Sequence, residues 1–558
     1  MTTAKNSSTA GAEDEAQQSW LPMVVIAMGQ ALMSFNVAAL PISMGGMVHD
    51  FNVPPTTVGT AIVMYSLGVS GFIMLGAKLG QRFGSRLFFQ SAVSLFLVAL
   101  IIMVLSPTAS AMLAAQALCG LAGAALVPTL VVLIANHFRG GQQAKALGWL
   151  GSARAMASVL AFLVIGTLER FVSWRAAFGL LIAHALAILI LSFKLKPSVS
   201  RPEVKIDLFG VFLVSSAVIL LSFGFNNLRS FGLFLARPAS PFDVLGISPA
   251  PLMIVVGLML GSAFLVWTQK RQTDGKMPLF ALEVVESNKE RATVLMMFMI
   301  VGMEAATNFS VPLYIQIVQG RDAFQTALAM MPFNLSVFFT AILIVRLYSR
   351  FTPRQIASCA FTLVAAGALW LAFVVSNNWS TFPVLLGLVA FGIGQGALVT
   401  LLFNVLVTSS PKELAADVGA LRGTAGNLAA SVGTALMGTL VVGVLSAGVM
   451  SSLTANPVIT AELKEQVDLD SINFLSNARL EERLKSTTAT PEQITEAMRI
   501  NEDARLRALK IAFFALGLVS LVAIFPSRQL PDYRPGEVPS DAPPAKPGAG
   551  HRKAASIA

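Results

Sequence analysis

Long apolar runs alternate with short polar ones along almost the whole of the 558-residue chain. A run of about 17 to 25 apolar residues crosses about 30 Å of hydrocarbon as a helix, which satisfies its own backbone hydrogen bonds there. About fourteen such runs occur. Six are Leu21 to Met47, Thr57 to Leu75, Leu87 to Leu105, Ala111 to Ala135, Ala146 to Leu168 and Trp174 to Phe193. After a charged linker come a looser pair, Leu208 to Asn226 and Pro251 to Trp267. The last six are Ala292 to Gln316, Phe324 to Leu347, Gln355 to Val375, Phe382 to Val407, Val418 to Val449 and Ala508 to Phe525. The pattern predicts an all-α polytopic membrane protein. A six-helix bundle over 21–193, a linker with two extra transmembrane helices over 194–291 and a second six-helix bundle over 292–525 account for it.

Within the second bundle, residues 450–507 form a long polar insertion, expected to be an extracytoplasmic helical hairpin. Its second arm is opened by Thr490-Pro491-Glu492-Gln493, an N-cap threonine, a proline at the first helical position and a Gln that closes a capping box. From there a helix runs into the last span. Residues 1–20 are polar, with no basic segment leading into a cleavable apolar core, and 526–558 are rich in Pro, Gly and Ala. Both are expected to be disordered cytoplasmic tails.

Composition sharpens the class. Only 12% of residues are charged, 55% are hydrophobic and the mean hydropathy is +0.72. The net charge of +10 would suggest nucleic acid in a soluble protein. Here the excess sits in short loops: about eighteen Lys and Arg on the side of the N-terminus against about five on the other. It reads as topology, with both termini in the cytoplasm and no nucleic-acid partner. Two cysteines, Cys119 and Cys359, both inside apolar runs, exclude a disulfide framework and a cysteine metal site. No phosphate loop of the GxxxxGK[ST] kind occurs, which argues against ATP drive within the chain. Neither a cofactor nor catalysis is expected, and the chain is expected to be monomeric.

The loop after the second run reads KLGQRFGSRLF and the loop after the tenth reads RLYSRFTPRQI. Aligned without gaps, Lys78 meets Arg346, Leu79 meets Leu347, Arg82 meets Arg350, Phe83 meets Phe351 and Arg86 meets Arg354. Matching basic loops at equivalent places indicate internal duplication, the device by which many transporters build two bundles around a midplane site.

With these residues in view, the chain resembles the major facilitator superfamily over about Leu21 to Phe525, and its run count resembles the fourteen-span drug:proton antiporter branch. In that family the loop after the second helix is an inner gate latch. Gly76, Leu79, Arg82, Gly84 and Arg86 fit its motif, while Gln81 stands where the family has Asp. The resemblance implies the same gating part for Arg346, Arg350 and Arg354 in the second loop, and a Gln81→Asp change is expected to be tolerated. Ser173-Trp174-Arg175 and Leu313-Tyr314-Ile315-Gln316 with Gly320 and Pro332 fit further landmarks. The branch's coupling positions are changed: Leu32 stands for an Asp, Gln116 for an Arg, Cys119 for a Gln, and Ala161-Phe162 for Gly-Pro.

Ionisable residues deep in an apolar run are expensive and therefore candidates for function. Glu304 is the candidate proton or cation site, the alternative being a packing carboxyl bonded to Asn308 or Thr307. Arg154 either snorkels to the inner face or pairs with Glu304 or an anionic substrate. His184 titrates near neutral pH or bonds a neighbouring helix. Arg422, one turn from its helix end, is expected to snorkel. Gln116, Asn308, Asn334, Gln395, Asn404 and Asn427 are the polar singles expected to face a cavity.

Together these features suggest a secondary transporter in the cell inner membrane that exports amphipathic or cationic small molecules by alternating access, coupled to protons. An exporter of lipids or lipid-like metabolites, a polytopic membrane enzyme and a non-transporting scaffold are the competing readings. The outer hairpin's acids alternate with Lys and Arg as in solvated helices, which weighs against the enzyme.

Overall fold

The computed structural model describes residues 19–532 apart from 54, 139, 198–199, 239, 318, 322, 380, 411, 456–476 and 487–488. Of the tails expected at 1–20 and 526–558, residues 1–18 and 533–558 lie outside the described residues, as does the middle of the hairpin, while the last helix continues to Ser527 and Asp532 accepts a hydrogen bond from Thr352. The first bundle consists of α1 (Leu21–Ile42), the short α2 (Met44–Phe51), α3 (Pro55–Phe83), α4 (Ser85–Leu105), α5 (Ala109–His137), α6 (Gly140–Phe171) and α7 (Trp174–Ser192). A pair follows, α8 (Leu208–Phe231) and α9 (Pro249–Thr273). The second bundle contains α10 (Asn288–Ile317), α11 (Ala323–Leu343), α12 (Pro353–Val374), α13 (Phe382–Ser409) and α14 (Ala415–Ala455), then α15 (Asn477–Lys485) and α16 (Pro491–Ser527). Thirteen helices among the described residues are long and apolar enough to cross a membrane. The other long helix, α6, carries Gln142, Gln143, Lys145 and Arg154 and is not one of the thirteen.

Caps set the ends of several helices. Thr352 and Gln355 close a capping box on α12, and Thr490 and Gln493 close one on α16, which continues unbroken to Ser527. Gly84 turns α3 into α4 at φ +88°, a conformation without penalty only for glycine. Gly76 is buried where α3 crosses α5, and a Cβ there would collide with the carbonyl of Ala124, so the glycine permits the backbone approach.

Two faces can be told apart by what meets there. At the terminal face, Trp20 before α1 stacks near Phe138 after α5 (5.4 Å), Arg86 Nη2 of α4 donates to the carbonyl of Phe193 after α7 (2.9 Å), and Ser358 of α12 meets Ser527 of α16. At the opposite face, Asp50 ends α2 and accepts the Trp174 indole N–H (2.8 Å) and the Arg175 guanidinium. That guanidinium lies over the Trp174 ring at 4.3 Å and donates to the carbonyl of Ser106, which ties α2, α4 and α7 together.

The pair α8–α9 is fastened at the terminal face by Asp207. This N-cap of α8 accepts Gly210 N–H (3.1 Å), Trp267 Nε1–H (2.9 Å) and Arg271 Nε (3.3 Å) from α9. Ser215 of α8 donates to the carbonyl of Gly71 on α3 (2.6 Å), so the pair leans on the first bundle.

The Trp174 indole, helped by Arg175, holds the Asp50 carboxyl below the usual carboxylate range. A depressed carboxyl stabilises the fold above its unfolded pKa and loses that contribution as pH falls through the folded value. The opposite-face cluster is therefore expected to stay intact at neutral pH and to loosen only below about pH 4. Trp174 fluorescence against pH, in wild type and Asp50→Asn, checks this: the acid transition should be absent from the variant.

Candidate functional site

The second-helix loop meets the second bundle through a buried ion pair. Lys78, on the last turns of α3, reaches both oxygens of Asp417, on the first turn of α14, at 3.0 and 3.2 Å. Lys78 is 8% exposed and Asp417 1%. So dry a pair persists only if the remaining lone pairs are met. The Gln81 side-chain amide and the backbone N–H of Ala281 both bond the Asp417 carboxylate, and the carbonyl of Gln81 accepts the N–H of Arg201. Gln81 thus stands beside the pair as a neutral donor, and the charge is carried by Lys78 three residues earlier. Leu79 is half-buried beside it, Arg82 is exposed, and Arg86 is bonded to the end of α7.

The duplicated loop does not mirror this. Arg346, Arg350 and Arg354 are exposed, and the end of α11 tightens into a 3-10 turn over Ile344–Ser349. Gly148 and Gly419 hold equivalent interface positions: a Cβ at either would lie 2.9 Å from backbone of the other bundle, Ala341 O and Pro128 Cα respectively. Counting back two residues from each pairs Asp417 with Ala146. The carboxylate needed for a second latch is an alanine.

Further contacts between the bundles lie on the same side of the molecule. Ser152 of α6 donates to the carbonyl of Phe338 on α11 (3.2 Å), and Gly423 of α14 fits against Ile73 and Val127. All of these fall in the halves of their helices nearer the terminal face.

Deeper, Arg154 of α6 and Glu304 of α10 face each other across the interface with 3.4 Å between Nη2 and Oε1. Glu304 stands sixteen residues beyond the start of α10, about 24 Å along its axis at the α-helical rise. Thr307 does not hold it, because its hydroxyl donates to the carbonyl of Met303 (2.9 Å). Arg422 corrects the snorkelling expected of it. Its guanidinium turns inward, stacks 4.2 Å over the Phe403 ring and lies close enough to Arg154 and Glu304 for both charges to act on it. The sequence thus names two members of a cluster of three, two guanidiniums and one carboxylate.

Three of the six amides are placed differently from expectation. Gln116 is fully buried and exchanges amide hydrogen bonds with Asn36 at 3.0 and 3.3 Å, joining α1 to α5. Gln395 is fully buried and donates to the carbonyl of Ile300 (3.0 Å); Asn404 is 1% exposed and donates to the carbonyl of Thr400 (3.2 Å). These three are buried within helix contacts. Asn308 is exposed, while Asn334 and Asn427 are half-buried and bond carbonyls one turn back, Met330 and Gly423.

His184 bonds the carbonyl of Met28 (3.0 Å), linking α7 to α1. It also borders an apolar cavity of about 890 Å³ between α1, α6 and α7, walled by Met23, Met28, Phe35, Trp149 and Met156 with Phe338 from α11. Asp417 and the cavity were missed by sequence reasoning. Asp417 had a signal: it is a lone acid at the start of a small-residue helix, where an N-terminal acid otherwise reads as dipole compensation.

Removing one partner of a buried pair strands the other, at about 3–5 kcal/mol. Asp417→Asn is therefore expected to lower the melting temperature in detergent, with the exchange Lys78→Asp/Asp417→Lys recovering part of the loss. Gln81→Asp, expected to be tolerated from sequence, sets a second carboxylate against Asp417 and should also destabilise. A wild-type melting curve for Asp417→Asn would rule the latch out.

Comparison with known proteins fits this architecture. The family model of the Major Facilitator Superfamily matches residues 26–434. The chain is 23% identical over 423 residues to the multidrug efflux pump LfrA of Mycolicibacterium smegmatis, covering 75% of this chain and 80% of that one. It is 25% identical over 421 residues to the tetracenomycin C resistance and export protein of Streptomyces glaucescens, covering 75% of each. Among solved structures, the human organic anion transporter MFSD10 (TETRAN) superposes with a TM-score of 0.54 over 91% of this chain and 99% of that one, at 14% identity, a likeness of fold. A match over most of the chain, on helices arranged as that fold arranges them, makes this protein a member of the Major Facilitator Superfamily.

Proposed function

We propose that the protein exports amphipathic small molecules across the cell inner membrane by alternating access, as a monomer coupled to protons through Glu304. The single observation that carries the reading is the Arg154–Glu304 pair, which crosses from one bundle to the other at mid-depth. A carboxylate there is shielded when the bundles meet and loses its partner when they part, so its readiness to hold a proton changes with the conformational state. In this reading α6 is the fourteenth span, both termini are cytoplasmic, and the molecule divides into bundles over 21–193 and 292–525 joined by the pair within 194–291. The bundle contacts on the terminal side then correspond to a state closed to the cytoplasm, with Lys78–Asp417 as its latch. Arg82 and Arg86 belong to the latch loop, and no catalytic step is assigned.

The cavity between α1, α6 and α7 supports the amphipathic character of the substrate, since its walls are almost wholly Met, Phe, Trp, Leu and Ala. The same cavity favours a second reading, an exporter of lipids or lipid-like metabolites, because exposed Trp20, Val24, Trp149, Leu160 and Leu180 leave its edges reachable from a bilayer.

Everted membrane vesicles with an imposed pH gradient test the coupling. Of amphipathic dyes tried in both charges, ethidium among them, those that are substrates should collapse the gradient with wild type and fail to do so with Glu304→Gln. Equal proton movement in the two would remove Glu304 as the coupling site, and movement with lipid substrates alone would favour the second reading.

A further inference from the structure

The charges in the cleft do not balance. Glu304 is held by Arg154 at 3.4 Å, and Asp417, little more than one turn before Arg422 on α14, is held by Lys78 at 3.0 Å. Among the described residues no third carboxylate lies within ion-pair distance of Arg422, whose guanidinium instead rests on Phe403. A guanidinium so placed is costly in a membrane interior unless something negative meets it. Arg154, whose charge acts on Arg422, is about two-fifths exposed.

We propose that Arg422 and Arg154 form an anion-binding site, and that the amphipathic substrates of this protein carry a carboxylate, sulfonate or phosphate group. The proposal rests on reading the protein as an exporter of amphipathic molecules and narrows that reading to one charge class. Guanidinium donors are arranged as a planar fork that matches these oxyanions two bonds at a time. The Phe403 ring, 4.2 Å beneath the guanidinium carbon, supports that fork from one side. Asn427, half-buried on the same helix, donates to the carbonyl of Gly423, and Asn308 is exposed one turn beyond Glu304. A cationic substrate meets the opposite condition, because it enters beside two cations with a single carboxylate between them and is disfavoured by like charge.

Binding decides this without transport. The full chain, purified in lipid nanodiscs, is titrated by equilibrium dialysis with naphthalene-2-sulfonate and with its trimethylammonium counterpart, which share the same apolar ring. Wild type is expected to bind the sulfonate more tightly. Arg422→Gln should weaken sulfonate binding by about tenfold or more, the scale of a lost hydrogen bond to a charged group, and Arg422→Lys by less. Melting curves identify any variant that fails to fold; in that event the wild-type ratio of the two probes decides. Equal or tighter binding of the ammonium probe by wild type overturns the proposal, as does unchanged sulfonate affinity in a folded Arg422→Gln. The two readings fail separately. Sulfonate binding without proton movement in vesicles removes coupling and leaves the anion site, whereas proton movement driven by ethidium without sulfonate binding does the reverse.

Discussion

A charge inside a membrane protein needs a partner, and in this molecule two of the partners sit on the other bundle. Lys78 and Asp417 meet near the terminal face, and Arg154 and Glu304 meet deeper. Each pair is satisfied only while the halves stand as they do, because separating them leaves ions in a medium that does not solvate them. The glycines bring the bundles close enough for this: Gly148 and Gly419 touch opposing backbone, and Gly423 leaves room for Ile73. Close approach and charge pairing depend on each other. Without the small residues the ions do not meet, and without the ions the packing and the Ser152–Phe338 hydrogen bond alone hold this arrangement against a slightly parted one.

Duplication explains the architecture but not the latch. The two halves share basic loops, and their interface glycines fall in register, yet Asp417 corresponds to Ala146 and the second loop's arginines face outward. A fold can keep its pseudo-symmetry while its contacts diverge, since helix packing tolerates substitution at a loop and an ion pair does not. One such ion pair on one side of the axis joins the bundles there and leaves the other side without its counterpart among the described residues.

The helices were legible because apolar period and length are properties of each segment alone. The capping boxes at Thr352 and Thr490 were legible for the same reason, being complete within four residues. The amides were not. Gln116, Gln395 and Asn404 stand on helices apolar all round, where periodicity no longer says which side is inside. Whether an amide faces a cleft or a neighbour depends on a helix far away in sequence; Asn36 is 80 residues from Gln116. Glu304 and Arg154 were easier to find because their cost is absolute, whichever way they point. Arg422 was misjudged by distance from its helix end, a measure blind to the Phe403 ring that turns it inward.

The changed positions of the first bundle fit this picture. Leu32 is fully buried, Gln116 forms a neutral amide pair with Asn36, and Cys119 is buried beside them. A neutral reciprocal pair joins α1 to α5 through two hydrogen bonds without asking for a counter-charge. That leaves Arg154, facing the cleft, with its carboxylate on the opposing bundle. In a bundle that holds both members of its ion pair, the halves part without disturbing it. Here the pair spans the interface between the bundles, so under the proposed alternating access parting them changes the surroundings of Glu304 and Arg154 in the same step, and anything that binds either ion acts on the balance between states.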